Sequence, residues 1–321
     1  MGDKLAFLFP GQGSQEVGMG KEFYNNFSRA REVFDRANEV LGFDLKELCF
    51  YGPEDELQKT YNAQPGILTT SIAAFEVIRS FNLRPNAVAG HSLGEITSLV
   101  AAGVIEFTDA VQLVRSRGKL MEKAFPTGKG GMAAVIGMEP KEIEKICEQV
   151  EGVLQVANYN SPSQVVVSGE MGSVKKGMKM LKEAGAQKVV PLRVSGPFHS
   201  ELMEKAGDEF ARYLNDVEFK APRCKFYSNV TGENVSDPEK IKELLLKQIS
   251  APVFWSKIMV KMVEKEFDPI IIVGEGKALV SFVRAVDRKR RPYQCSDLAT
   301  LYKVLGDLNS DQVGYKEKAL I

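Results

Sequence analysis

Short runs of apolar residues alternate along this chain with stretches whose apolar positions recur every three to four residues. Residues 5–9, 87–89 and 269–273 are continuous apolar runs of strand length, each followed by a helical pattern. Strands apolar on both faces and separated by helices predict a mostly parallel sheet covered on each side. One stretch breaks the rhythm. Between Gly128, Gly130 and Gly131 at one end and the turn Ser195-Gly196-Pro197 at the other, the pattern predicts strand 132–136, helix 140–150, strands 154–158 and 164–168, helix 173–184 and strand 188–192. That order, βαββαβ, is the ferredoxin-like arrangement. The expected fold is therefore an α/β body of residues 1–128 and 196–321, with residues 129–195 inserted as a small ferredoxin-like subdomain. The tail from Ser310, mixed in charge, reads as loosely held.

Composition narrows the classes of function. A chain of 321 residues, 44% of them hydrophobic, can bury a sizeable core. Lys+Arg and Asp+Glu both number 42, so net charge gives no sign of nucleic-acid binding or of attraction to an anionic membrane. No apolar run approaches the roughly twenty residues needed to span a bilayer. Met1-Gly2-Asp3-Lys4 leads directly into the first strand without the parts of a signal peptide, and a cytoplasmic protein is expected. Cys49, Cys147, Cys224 and Cys295 are widely spaced and the histidines number two, so no metal site is expected and the cysteines read as reduced, buried thiols.

The candidate chemistry centres on Gly90-His91-Ser92-Leu93-Gly94. This Gly-x-Ser-x-Gly follows the strand 87–89 and precedes a helical run, 95–104, which is the context of a nucleophile elbow. A serine nucleophile needs a base, and the histidines are His91 and His199. His91 adjoins Ser92 in the chain, so its side chain should diverge at a tight turn. His199 lies just beyond the junction between body and insert, ahead of the helical run 201–214, and is the better base; a structural histidine at a helix start is the plainer explanation. The glycine-rich turn Pro10-Gly11-Gln12-Gly13-Ser14-Gln15 lacks both the phosphate-loop lysine and the third glycine of a dinucleotide fingerprint. In a serine enzyme the N–H groups of Gln12 and Leu93 would form an oxyanion hole; a plain turn before a helix is the alternative. Residues 108–124 read as an amphipathic helix capped at Thr108, with Arg117 in the middle of its apolar stripe and Arg115, Lys119 and Lys123 off it as solvated charges. An inward arginine needs an anion, either an internal Asp or Glu or the carboxylate of a substrate.

With these pieces in place, the chain resembles the malonyl-CoA:acyl carrier protein transacylases, in the stand-alone form of bacterial fatty acid synthesis. The resemblance rests on Phe9-Pro10-Gly11-Gln12-Gly13-Ser14-Gln15, Gln64-Pro65, Gly90-His91-Ser92-Leu93-Gly94-Glu95, Arg115-Ser116-Arg117-Gly118, Asn160-Ser161-Pro162, Pro197-Phe198-His199 and Gln248-Ile249-Ser250-Ala251-Pro252-Val253. It implies a hydrolase-like body and a malonyl group passed from coenzyme A to Ser92, then to the phosphopantetheine thiol of acyl carrier protein. By position it makes Ser92 the nucleophile, His199 the base, and Gln12 and Leu93 the oxyanion hole. It implies that Arg117 binds the malonyl carboxylate, that the backbone carbonyl of Gln248 orients the histidine, and that Gln64, His91, Asn160 and Phe198 are substrate-binding positions. No cofactor is implied, since coenzyme A is part of the substrate, and a monomer is expected. Glu275 stands where the family often has proline. The acidic carrier would need a basic patch, for which Arg284, Arg288, Lys289, Arg290 and Arg291, or Lys182 with Lys188, are candidates. Two other readings share the elbow: an esterase or thioesterase, which has no use for a buried Arg117, and a non-catalytic carrier-docking module, which has no need of Ser92 and His199.

Overall fold

The structure, a computed structural model, describes residues 4–126 and 128–308. The chain's first three residues and the tail from Ser310 lie outside them. Among the described residues the strands are β1 (Ala6–Phe9), β2 (Ala87–Gly90), β3 (Gly130–Ile136), β4 (Leu154–Ser161), β5 (Gln164–Glu170), β6 (Lys188–Pro191), β7 (Lys225–Tyr227), β8 (Asn234–Val235), β9 (Ile270–Val273) and β10 (Tyr293–Cys295). They form a six-stranded sheet in the order β10-β9-β1-β2-β7-β8, parallel except for β7 with β8, and a four-stranded antiparallel sheet in the order β4-β5-β3-β6.

The sequence of β1 shows how the large sheet is held. Successive side chains point to opposite faces. Phe7 and Phe9 enter one core, with Phe23, Phe34 and the helix Thr60–Ser80. Ala6 and Leu8 enter the other, with Trp255, Met259 and Phe282. All four residues are fully buried, as a central parallel strand requires. The helix Thr60–Ser80 is buried along most of its length, and the helix Phe107–Lys123 crosses close to its start. Gly118 permits that approach, because a Cβ there would lie 2.6 Å from Tyr61 Cα.

The small sheet has the expected βαββαβ order, with its helices at Pro140–Gln149 and Met171–Glu183. Val135, Val167 and Val189 face those helices. On the opposite face Met132, Ala134 and Val166 join the core of the body, so the insert is fastened by apolar burial. Its edge strand β4 also makes backbone bonds with the body, from Tyr159 N–H to Val253 O (2.9 Å) and from Val253 N–H to Ala157 O (2.9 Å). Tyr159 stacks on Phe254 with ring centroids 5.0 Å apart. Where the chain enters and leaves the insert, Gly130 lies against the Pro197 ring.

Several expectations shift. The helix expected to be capped by Thr108 begins at Phe107, its N-cap is Glu106, and no side chain caps it, so Thr108 is already inside the first turn. The helix after Ser92 starts at once, Leu93–Ala101, instead of at Glu95. The run after His199 is a single 3-10 turn, Glu201–Met203, followed by the helix Glu204–Asn215. Of the cysteines, all free, Cys224 is only half-buried because it lies next to the exposed start of β7.

Candidate active site

Ser92 follows the last residue of β2 and precedes the first residue of its helix, in a backbone conformation of φ 52° and ψ −107°. Positive φ is uncommon for a residue with a side chain and marks a conformation held by its surroundings. The flanking glycines make it possible: a Cβ on Gly90 would lie 1.7 Å from Gly94 O, and one on Gly94 would lie 2.2 Å from Phe9 O. The serine's own backbone is pinned on both sides. Its N–H donates to Asn229 Oδ1 (2.7 Å), and its carbonyl accepts from Gln248 Nε2 (2.8 Å). Asn229 also donates from Nδ2 to Gly90 O (2.7 Å).

His199, on the loop before the 3-10 turn, places Nε2 2.7 Å from Ser92 Oγ. Its Nδ1 lies 2.8 Å from the backbone carbonyl of Gln248. A carbonyl only accepts, so the neutral ring carries its proton on Nδ1 and offers Nε2 as the acceptor for the serine hydroxyl. Burial, then the positive charge of Arg117, push His199 down to about 3, so the unliganded imidazole is neutral at physiological pH.

Arg117 is 1% exposed and inward, as its place in the apolar stripe predicts. Its partners are neutral. Nη1 donates to Gln64 Oε1 (2.9 Å), and Nη2 to Gln248 Oε1 (2.8 Å) and Ser92 Oγ (3.3 Å). Nε has no hydrogen-bond partner among the described residues. No Asp or Glu oxygen lies within 4.0 Å of the guanidinium there, which removes a direct internal ion pair as the reason for its burial. Desolvation lowers it to about 10, still well above physiological pH. Arg115 differs from its expected place in solvent: its guanidinium stacks over Phe43 and Tyr61 at 4.8 and 4.7 Å and donates to Tyr61 O and Asn62.

The remaining candidates surround these three. Gln12 and Leu93 have backbone N–H groups free of protein hydrogen bonds among the described residues, and Leu93 opens the helix whose positive end faces Ser92. The Gln12 side chain donates to Thr60 Oγ1 (3.3 Å), which is paired with Ser195 at the junction (2.9 Å). His91 turns away from Ser92: its Nε2 meets Asn160 Oδ1 at 2.8 Å and its ring packs against Trp255 and Phe282. Phe198 is 5% exposed and lines the cleft. Gln64 sits behind Arg117 and does not line it.

That cleft, of about 570 Å³, lies between body and insert. Gly11 to Glu16, Ser92, Arg117 and His199 wall one side, and Met132, Asn160, Val166 and Leu192 of the insert the other. Glu275, at the position that departs from the family pattern, lines its rim and accepts from Gln294 (3.3 Å). Of the basic run, Arg290 is held by Phe267 O, Asp268 and Asp287, while Arg284, Arg288, Lys289 and Arg291 are exposed, as are Lys182 and Lys188.

Two participants escaped sequence reading. Glu95, 1% exposed, accepts from Gln248 Nε2 (2.6 Å) and Asn229 N–H (3.1 Å), and burial pushes its carboxyl up to about 7. Asn229, fully buried, ties Glu95 to the elbow. The signal for Glu95 was the single charged residue in its helical run; Asn229 had none.

A strained serine after a parallel strand, hydrogen-bonded to a histidine beside free backbone donors, is built for acyl transfer. The chain belongs to the acyl transferase family: the model described as "Acyl transferase domain" matches residues 6–316. Its relatives are more particular. The malonyl CoA-acyl carrier protein transacylase of Bacillus subtilis (strain 168) is 41% identical over 311 residues, 96% of this chain and 98% of that one. Among solved structures, an acyl carrier protein S-malonyltransferase from Vibrio cholerae O1 biovar eltor superposes with a TM-score of 0.92 at 39% identity, covering 94% of this chain and all (100%) of that one. A malonyl-transacylase in complex with its holo type II PKS acyl-carrier protein is similar at a TM-score of 0.92 and 36% identity, covering 95% of this chain and 100% of that one.

Proposed function

We propose that this acyltransferase moves a malonyl group from malonyl-CoA to the phosphopantetheine thiol of acyl carrier protein, supplying fatty acid synthesis. The observation that carries this reading is Arg117: a buried guanidinium, paired only with neutral groups, whose Nη2 is 3.3 Å from Ser92 Oγ. A site that transfers an uncharged acyl group gains nothing from a buried cation. One that transfers malonyl has a carboxylate to place there, and the free Nε–H is a donor waiting for it.

Ser92 Oγ attacks the thioester carbonyl while His199 Nε2 takes its proton. The N–H groups of Gln12 and Leu93 hold the oxyanion. The C–S bond then breaks, and the coenzyme A sulfur leaves with the proton from Nε2. In the second half, the carrier thiol gives its proton to Nε2 and its sulfur attacks the malonyl ester; Ser92 Oγ departs and recovers the proton. Gln248 O serves the histidine in both halves by accepting from Nδ1–H, the task a carboxylate performs in a Ser-His-Asp triad. The malonyl carboxylate assists as well. Neutralising Arg117 removes one of the charges that hold His199 in its unprotonated form, so the bound substrate strengthens its own base.

Residues 129–195 act as a subdomain against the body of 1–128 and 196–321, and together they keep the acyl ester from water. His91 and Asn160 brace the wall beside the acyl group, Gln64 sets the arginine, and Phe198 limits room for an α-branch. The enzyme works as a cytoplasmic monomer without a cofactor. Incubation with malonyl-CoA and measurement of intact mass tests this: a malonyl adduct is expected, absent in Ser92→Ala, and an unmodified wild-type protein rejects the reading.

A further inference from the structure

A buried cation without a counter-charge is costly, and the partners of Arg117 are all neutral. The carboxylate whose charge reaches it is Glu95. The two are joined through one side chain. Gln248 receives Arg117 Nη2 on its Oε1 at 2.8 Å and donates from Nε2 to Glu95 Oε2 at 2.6 Å. The carboxamide dipole thus lies with its negative end on the cation and its positive end on the anion. Asn229 N–H fixes the other Glu95 oxygen at 3.1 Å, so the carboxylate cannot turn away.

We propose that Glu95 is the resident counter-charge of Arg117, acting across the Gln248 carboxamide, and that it thereby sets how strongly the site holds a carboxylated acyl group. This rests on the malonyl reading. In the empty site Glu95 balances Arg117. When an acyl carboxylate arrives, two anions share one buried cation, and Glu95 relieves the repulsion by taking a proton from solvent. Its buried carboxyl, already raised to about 7, makes that uptake accessible near neutrality. The titratable groups facing it are Arg117 and, through the Gln248 carbonyl, His199, while Gln248, Asn229 and Ser228 are neutral. Arg117 stays charged below about 10 and His199 stays neutral above about 3, so between them Glu95 is the group that changes charge around neutral pH. The sign follows: below its midpoint Glu95 is protonated and the acyl carboxylate meets an unopposed cation, and above it the two anions compete.

Ser92 acylation by malonyl-CoA and by acetyl-CoA, followed in parallel by rapid-quench mass spectrometry, gives a ratio of kcat/KM values in which titration of coenzyme A itself cancels. That ratio is expected to fall about tenfold from about pH 6 to about pH 8.5, with its midpoint near neutrality. In Glu95→Gln it is expected to stay high and flat. A flat ratio in the wild-type enzyme overturns the proposal, as does a slope that survives in Glu95→Gln. Should that variant not fold, the wild-type ratio decides alone, a fall supporting the proposal and a flat line overturning it. An enzyme that forms no malonyl adduct at all overturns the malonyl reading with it, whereas a flat ratio on an active enzyme overturns only the counter-charge.

Discussion

Each side chain to which the proposed reaction gives a part is set in place by a neighbour to which it gives none. Ser92 is pinned by Asn229 and Gln248, His199 by a backbone carbonyl, and Arg117 by two glutamines. Gln248 serves all three, and a change there should disturb them together. Arg117→Ala isolates the acyl-recognition step. Charge-assisted hydrogen bonds contribute about 1.5–3 kcal/mol, so the variant should lose on the order of 10- to 100-fold in kcat/KM for malonyl-CoA while gaining relative tolerance for acetyl-CoA. An unchanged preference between the two, in the same acylation assay, would make Arg117 a structural residue. The sequence showed Ser92, His199 and Arg117 because each breaks a local pattern: a serine between two glycines, a histidine at a domain junction, a cation on an apolar stripe. Asn229 breaks no pattern, and Glu95, the lone charge of its helix, could not be matched to a partner, since the residues they bond lie 137 and 153 positions away in the chain.

Among the elements, the contact between the helices Thr60–Ser80 and Phe107–Lys123 matters most to the site, because it sets Arg117 against Gln64. Gly118 faces the backbone of Thr60 and Tyr61, and Gly118→Val would force the helices apart. A loss of about 1–3 kcal/mol is expected from urea denaturation, together with weakened malonyl transfer as Arg117 moves from Ser92. Full stability and activity in that variant would mean the crossing is not what positions the arginine. The elements themselves were largely legible. Strand-length runs between the turns at residues 128–131 and 195–197 located β3 to β6, and unbroken apolar runs located β1, β2 and β9, whereas β7, β8 and β10 are too short to show a pattern. The ends were less so: Thr108 has the chemistry of a cap, yet the helix starts one residue earlier, at Phe107, with Glu106 as an N-cap that makes no side-chain hydrogen bond, because a cap preference fixes a helix end only to within a residue or two.

For the whole molecule, the cleft depends on how the insert is held. Apolar burial of Met132, Ala134 and Val166 is reinforced by the Val253 backbone pairing and the Tyr159–Phe254 stack, on the same segment that carries Gln248. Tyr159→Ala removes the stack and the bond to Glu144 (2.6 Å), and should loosen the wall that shields the acyl ester. Faster hydrolysis of the malonyl-enzyme in the absence of carrier is the expected outcome, and an unchanged lifetime would show that the apolar face alone keeps water out.

The contact of Gly130 with Pro197 has a different consequence. Because the two stretches of chain that bound the segment between these residues meet at one point, a replacement that again buries an apolar face where Met132, Ala134 and Val166 lie would leave the path of the rest of the chain unbroken. Ser92, His199 and Arg117, to which the proposed reaction assigns the chemistry, all lie outside that segment. Descendants of such a chain could therefore vary the wall that contacts the acyl and carrier groups by exchanging a single segment, and a designer could graft another along the same seam.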